Sequence, residues 1–226
     1  MPKKKKAWQP CYLCGQTREK MTRDHVPPRN MFPPPLPDNM ITVDCCDDCH
    51  KPLSLDDEAF TAFIAMAHGV SGAGKWILRN KVFGGSLKHS PKLKAQFSKS
   101  WYMGKVQTPT GTKSVPVIAM PEERANNYLT RMTKALLRYF HPTYDYQQDN
   151  FTINLLYPHV EQHVQYCNGM MPYLVRDQRG DGVFTFWHGV TDCHKGGAWI
   201  YTFFDNVRFA VVHQKAGHDG TSMALA

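Results

Sequence analysis

Four cysteines in two pairs are the residues whose spacing most clearly predicts chemistry. Cys11 and Cys14 form one C-x2-C pair, and Cys46 and Cys49 form another after a gap of 31 residues. Each tight turn presents two thiolates to one point, so two such turns make a tetrahedral site for one ion. We therefore predict a structural Zn²⁺ site with these four ligands, and Cys45 is the spare cysteine. The alternative is that one pair binds and the other cysteines only fill space.

A second group of polar residues lies inside and just after this frame. Asp24 is followed directly by His25, Asn39 lies further along the gap, and His50 follows Cys49. Carboxylate oxygens and imidazole nitrogens bind divalent cations, and a neutral imidazole is also a general base. An isolated Asp-His pair is common by chance, but this one lies within a double C-x2-C frame that ends in Cys-His. We therefore predict a catalytic site here.

The order Asp, His, Asn, His within two C-x2-C pairs resembles the HNH nuclease family over residues 11–50. The segments "RDHVPP" and "NMITV" also look like those of a bacterial and phage group within that family. The resemblance implies a ββα-metal module, in which a short β-hairpin and one helix hold a divalent ion. It also implies an endonuclease that hydrolyses phosphodiester bonds in DNA, by nicking or by double-strand cleavage.

The same resemblance implies a role for each polar residue. Asp24 and His50 would hold Mg²⁺ or Mn²⁺, with Ni²⁺ as a further option. His25 would point the other way from the same strand and act as the general base toward water. Asn39 would either orient His25 through a backbone hydrogen bond or approach the metal.

The elements that must position these residues differ in composition along the chain. Residues 7–53 are rich in Cys, Asp and Pro, which predicts loops and short strands that depend on a metal. Residues 54–140 have helical patterns, with Ser54 and Ser90 as expected caps and a long amphipathic helix over 121–140. Residues 150–213 contain aromatic and β-branched runs that predict strands.

We therefore expect an α+β protein with an N-terminal ββα-metal HNH module and a four-cysteine zinc site, followed by helices and a C-terminal antiparallel sheet. The expected organisation is an HNH module at 7–68, a basic helical segment at 69–149 and a β-rich region at 150–216. Residues 1–6 and 217–226 are predicted to be disordered.

Basic residues are concentrated in the middle of the chain. Residues 1–60 hold 9 Lys/Arg and 9 Asp/Glu, whereas residues 75–140 hold 13 Lys/Arg and 2 Asp/Glu, a local net charge of +11. We predict that this basic zone faces a polyanion, and the alternative is a merely solvated basic face. The residues predicted to contact nucleic acid are Arg23, Arg29, Lys92, Lys94 and Arg131.

The composition also indicates the class of protein. No apolar run approaches the roughly 18 residues that a membrane helix needs, and seven cysteines are an odd number that favours reduced thiols. We expect a soluble cytoplasmic protein, encoded by a bacterium or phage, with the nucleus left open by the "PKKKK" start. The expected partner is DNA, with RNA left open, no membrane partner and no indication of oligomeric state.

A rival function belongs to a different class. The chain would be a zinc-stabilised nucleic-acid-binding or regulatory protein whose HNH module no longer cuts. The joint presence of Asp24, His25 and His50 favours the enzyme, because a binding protein has no need of a base beside a metal ligand.

Overall fold

The computed structural model describes residues 8–67, 69–108 and 111–217. The two end segments predicted to be disordered, 1–6 and 217–226, lie outside these residues, apart from Gly217. The strands are β1 Met21–Val26, β2 Ile41–Cys46, β3 Trp101–Thr108, β4 Gly111–Ile118, β5 Asp149–Leu156, β6 Val175–Arg179, β7 Phe184–Val190, β8 Gly196–Phe203 and β9 Val207–Lys215. The α-helices are α1 Asp47–His50, α2 Ser54–Ala65, α3 Gly72–Ile77, α4 Leu87–His89, α5 Pro91–Ser100, α6 Glu122–Phe140 and α7 Glu161–Met170.

The N-terminal part is a β-hairpin followed at once by a helix. Strands β1 and β2 are antiparallel, with Met21 opposite Cys46 and Asp24 opposite Val43. Helix α1 begins at the residue after β2, so the polypeptide turns from strand to helix between the two cysteines of the second pair. This arrangement brings the middle of β1 and the end of α1 to the same part of the molecule.

The C-terminal part is the predicted antiparallel sheet. Its order is β5-β9-β8-β7-β6, and every neighbouring pair is antiparallel. The aromatic and β-branched runs expected as strands, "FTINLLY", "GVFTFWHGV", "AWIYTFF" and "VRFAVVHQ", correspond to β5, β7, β8 and β9. Strand β6 was not predicted, and it occupies one edge of the sheet.

The middle segment is less helical than predicted. Helix α5 begins as expected, since the Ser90 hydroxyl accepts a hydrogen bond from the Leu93 N–H (3.3 Å). Ser54, by contrast, is not a cap: the helical path already runs through Leu53, so no free helix end is present there for a side chain to cap. A nine-residue π-helical stretch, Leu78–Ser86, joins α3 to α4, and strands β3 and β4 form a separate two-stranded sheet after α5.

The three segments share one hydrophobic core. Helices α2 and α6 pack on the C-terminal sheet, and the Phe60 ring stacks on Tyr128 with ring centroids 3.8 Å apart and meets Phe203 edge-on. The same buried cluster includes Tyr12 and Ile41 from the N-terminal module. Burying these apolar side chains together is favourable, so the module, the helices and the sheet stabilise one another.

The length and polarity of a helix decide whether it can cross a bilayer. The longest, α6, has 19 residues and is amphipathic, with three basic residues among its last ten. Among residues 8–67, 69–108 and 111–217, no helix is long and apolar enough to cross a membrane.

Candidate functional site

The four predicted ligand cysteines lie together. Cys11 and Cys14 are in the turn before β1, Cys46 ends β2 and Cys49 lies in α1. Their Sγ atoms all lie within 4.8 Å of one another, and Cys14 Sγ is 3.9 Å from Cys46 Sγ. A tetrahedral zinc ion with Zn–S bonds of about 2.3 Å holds its sulfur ligands about 3.8 Å apart. The four cysteines are therefore positioned to hold a metal ion, and their spacing is compatible with structural zinc.

The backbone of the first cysteine turn suits this task. Gly15 has φ +71°, a left-handed conformation that favours glycine, and its N–H donates to the Cys11 carbonyl (2.8 Å). Burial raises the pKa of the Cys11 thiol, but the N–H groups of Cys14, Cys46 and Leu13 outweigh it and lower that pKa to about 7. The turn thus stabilises a thiolate, which is the form that binds metal.

Cys45 is a buried neighbour of this cluster and not one of its four ligands. Its thiol donates to the Cys46 carbonyl (3.6 Å), and its sulfur accepts from the Cys11 thiol (3.8 Å). Burial, followed by the charge of Cys11, raises the pKa of the Cys45 thiol above its ordinary value. Cys45 therefore remains a protonated thiol beside the four clustered cysteines, which agrees with its prediction as the spare cysteine.

Asp24 and His50 meet close to the cysteine cluster. Asp24 is 4% exposed, and its Oδ1 lies 3.6 Å from Nε2 of His50, whose side chain is 39% exposed. Two ligands about 2.1 Å from one ion lie about 3 to 4 Å apart. This separation is compatible with two ligands of one divalent cation, and His50 is accessible to solvent.

The second oxygen of Asp24 is held from the interior. Tyr12 donates its hydroxyl to Asp24 Oδ2 (2.6 Å), and Arg131 Nη1 lies 3.8 Å from the same oxygen. Arg131 also pairs through Nη2 with Asp57 of α2. Burial lowers the pKa of Arg131, but the charge of Asp57 and the neighbouring tyrosines raise it above its ordinary value, so the guanidinium stays cationic. These contacts fix the carboxylate so that Oδ1 faces His50.

His25 lies next to this pair on β1. Successive strand residues point to opposite faces, so the buried Asp24 and the half-buried His25 leave the strand in different directions. Burial, followed by the positive charge of Arg29, lowers the pKa of His25 below its ordinary value. A lowered pKa keeps the imidazole neutral near pH 7, which is the form that accepts a proton.

Asn39 differs from its predicted position. It is exposed in the loop before β2, and its side-chain amide donates to the carbonyl of Gln178 on β6 (3.3 Å). This hydrogen bond ties the loop to the C-terminal sheet instead of orienting His25. The physical reason is the length of the loop, since Asn39 lies two residues before β2 begins and thus beyond the paired part of the hairpin.

The predicted nucleic-acid contacts fall into two groups. Arg23 and Arg29 are exposed on either side of His25, and Lys92 and Lys94 are exposed on α5. Arg131, however, is only 9% exposed. Its prediction as a surface contact is wrong, because it lies on the face of α6 that packs on α2, where it pairs with buried carboxylates.

Sequence reasoning missed the residues that support Asp24 from behind. Tyr12 is the second residue of the first C-x2-C pair, and its backbone carbonyl accepts hydrogen bonds from Tyr146 and Gln147. The signal for Tyr12 was its place inside the cysteine turn. The contact of Arg131 with Asp57 joins residues 74 positions apart and leaves no local pattern to read.

Comparisons with models of protein families, with curated proteins and with solved structures found no match for this chain.

Proposed function

We propose that this protein is a metal-dependent endonuclease of the HNH type that hydrolyses phosphodiester bonds in DNA. The observation that carries the proposal is the approach of Asp24 Oδ1 to His50 Nε2 at 3.6 Å, with His25 next along the strand. In support, the residues whose order resembles that of HNH nucleases include a carboxylate and an imidazole 3.6 Å apart, and the same segment holds a cluster of four cysteines.

Each residue has a role that follows from its position. Asp24 and His50 would hold Mg²⁺ or Mn²⁺, or Ni²⁺, and Cys11, Cys14, Cys46 and Cys49 would hold a structural Zn²⁺. A bound divalent ion offsets the negative charge that develops on the scissile phosphate and on the leaving oxygen. His25, neutral and half-buried, takes a proton from the water that attacks phosphorus.

Tyr12 and Arg131 act on the chemistry only through Asp24. They occupy Oδ2, so the carboxylate presents one oxygen in one orientation. Residues that orient ligands in this way typically change metal affinity or activity by about 10- to 100-fold when removed. Arg23 and Arg29 are exposed and lie within four residues of His25, and they would contact the phosphates that flank the scissile bond.

The proposal is tested by plasmid cleavage. Zinc-loaded protein is incubated with supercoiled plasmid and Mg²⁺, Mn²⁺ or Ni²⁺, and a parallel sample contains EDTA. We expect relaxed or linear plasmid with at least one of these ions and intact supercoiled plasmid with EDTA. Binding of the plasmid without cleavage under every metal condition would contradict the proposal and favour the rival, a zinc-stabilised DNA-binding protein.

A further inference from the structure

Strands β3 and β4 form a ribbon that belongs to neither of the other sheets. Among the described residues they pair only with each other, from Trp101 opposite Ile118 to Thr108 opposite Gly111. The ribbon joins α5 at its base, where the Ala119 N–H donates to the Ser100 carbonyl (2.9 Å). Each strand has eight residues, which is a length of about 27 Å at about 3.4 Å per residue.

The ribbon exposes large apolar side chains near its base. Trp101, Tyr102 and Met103 are 53%, 54% and 57% exposed. A two-stranded ribbon is only marginally stable alone in water, and clustered exposed aromatic residues mark interaction surfaces. The ribbon therefore has the properties of a surface that a partner covers.

The charge around the ribbon identifies the chemistry of that partner. Residues 59–121 contain no Asp or Glu and nine Lys or Arg. Lys105 and Lys113 lie on the ribbon itself, and both are exposed. A surface without a single acid in 63 residues repels cations and attracts a polyanion such as the nucleic-acid backbone.

The two ribbon lysines point in opposite directions. Lys105 is paired with Ser114, which shares its face, and Lys113 is the next residue along β4, on the other face. The major groove of duplex DNA is about 12 Å wide and admits a two-stranded ribbon, with a phosphate backbone on each side. A ribbon in the groove would thus direct one lysine toward each wall.

A cleft lies between the start of α2, a few residues after His50, and α5, the helix that precedes the ribbon. It is an open cleft of about 710 Å³ between α2, α5 and α6. Its charged lining residues are Asp56, Lys92, Lys99, Glu123 and Arg124. Arg124 Nη1 lies 2.8 Å from Asp56 Oδ1 and neutralises its charge. The two lysines of α5 therefore line a cleft whose one remaining acid is Glu123.

We propose that the β3–β4 ribbon is a DNA-binding element that enters the major groove of duplex DNA. The inference rests on the proposed function, because it names the surface that holds the substrate of the Asp24–His25–His50 site. The exposed aromatic residues at the base of the ribbon then contact the rim of the groove, and Lys105 and Lys113 contact its two phosphate backbones.

The test measures DNA binding without cleavage. The full-length, zinc-loaded protein carries His25→Ala in every sample, and a fluorescein-labelled duplex reports binding by anisotropy over a range of salt concentrations. We compare Lys105→Glu/Lys113→Glu with a matched charge reversal on the C-terminal sheet, Arg176→Glu/Lys195→Glu. A third protein lacks residues 1–6, because the basic "KKKK" run also attracts phosphates.

The ribbon variant is expected to lose at least about tenfold in affinity near physiological salt, while the matched control changes less than about twofold. Its slope of log affinity against log salt is expected to fall by about 2, since each phosphate contact contributes about 0.9. Methyl green, which fills the major groove, should displace the protein, whereas netropsin in the minor groove should not. Unchanged zinc content and thermal unfolding would show that the ribbon variant is folded.

Two results would overturn the ribbon assignment: wild-type affinity and slope in the ribbon variant, or displacement by netropsin and not by methyl green. If the otherwise wild-type protein cuts plasmid while the ribbon variant binds normally, the ribbon inference fails and the proposed function stands. If binding depends on the ribbon but the protein with His25 intact never cuts, the proposed function fails and the ribbon inference stands.

Discussion

At the scale of single residues, Asp24 is the group on which the site depends. Its two oxygens have different partners: Oδ2 accepts from Tyr12 and faces Arg131, while Oδ1 faces His50. A carboxylate held in this way cannot rotate to offer both oxygens to an ion. Tyr12 also follows Cys11 directly, so the residue that orients the carboxylate is one position away from one of the four clustered cysteines.

Tyr12→Phe should therefore weaken the binding of the catalytic ion without affecting zinc. The variant keeps the buried ring but removes the hydroxyl that orients Asp24, and we expect Mn²⁺ affinity to fall by about 10- to 100-fold. Electron paramagnetic resonance of free Mn²⁺ measures this affinity, and elemental analysis measures zinc.

Tyr146→Phe is the matched control for this prediction. The Tyr146 hydroxyl donates to the backbone carbonyl of Tyr12 (3.1 Å) and not to Asp24. The Mn²⁺ affinity of this variant should therefore stay close to wild type. Equal Mn²⁺ affinity in Tyr12→Phe and wild type would show that the hydroxyl does not position the carboxylate.

At the scale of elements, the β1–β2 hairpin and α1 connect the two candidate sites. Cys46 ends β2, Cys49 lies in α1 and His50 follows it directly, so an ion held by the cysteines fixes the start of the helix that carries His50. The N-terminal module is otherwise short strands and proline-rich loops, with few regular elements to stabilise it.

Cys46→Ser should release zinc and unfold the N-terminal module, whereas Cys45→Ser should retain zinc. A structural zinc ion contributes on the order of 10 kcal/mol to folding, which is as large as the stability of a typical domain. Serine at position 45 keeps a hydroxyl that can donate to the Cys46 carbonyl and accept from Cys11, so the loss there should be small. Elemental analysis and limited proteolysis check both variants.

The opposite pattern, in which Cys45→Ser releases zinc and Cys46→Ser retains it, would show that the ligand set is wrong. It would leave the positions of Asp24 and His50 unaffected, because those follow from β1 and α1 and not from the identity of the fourth ligand.

The elements also show which patterns a sequence reveals. Helices α5 and α6 and strands β5, β7, β8 and β9 were predicted because their apolar periodicity or capping is local. Strand β6 was missed because it is an edge strand, and its charged residues Arg176, Asp177 and Arg179 hide the alternation. The β3–β4 ribbon was missed because Gly104 and Pro116 interrupt its pattern, and none of its described side chains is buried.

At the scale of the whole molecule, one core joins the regions that composition separated. Phe60 of α2 contacts both Tyr128 of α6 and Phe203 of β8, and Thr133 of α6 shares a hydrogen bond with Tyr201 of β8 (2.8 Å). Such contacts join residues far apart in sequence, and no local pattern specifies them. For the same reason Arg131 was taken for a surface residue, although α6 buries it against α2.

The spacing of cysteines was the most informative feature of the sequence, because metal ligation demands a fixed geometry that few other spacings satisfy. The pairing of Asp24 with His50 came instead from the resemblance to HNH nucleases, and in the structure Asp24 Oδ1 lies 3.6 Å from His50 Nε2. The support from Tyr12 and Arg131, and the tie of Asn39 to Gln178, depend on the folded arrangement and required the structure.

The central claim is that His25 is the general base of a DNA-cleaving site, and the rate of plasmid cleavage by His25→Ala tests it most directly. The measurement uses wild-type and variant proteins with equal zinc content and equal affinity for DNA, in the divalent ion that best supports the wild type. Loss of a general base lowers rates by about 10²- to 10⁴-fold, so we predict a loss of at least about 100-fold. Cleavage by His25→Ala at the wild-type rate would contradict the account.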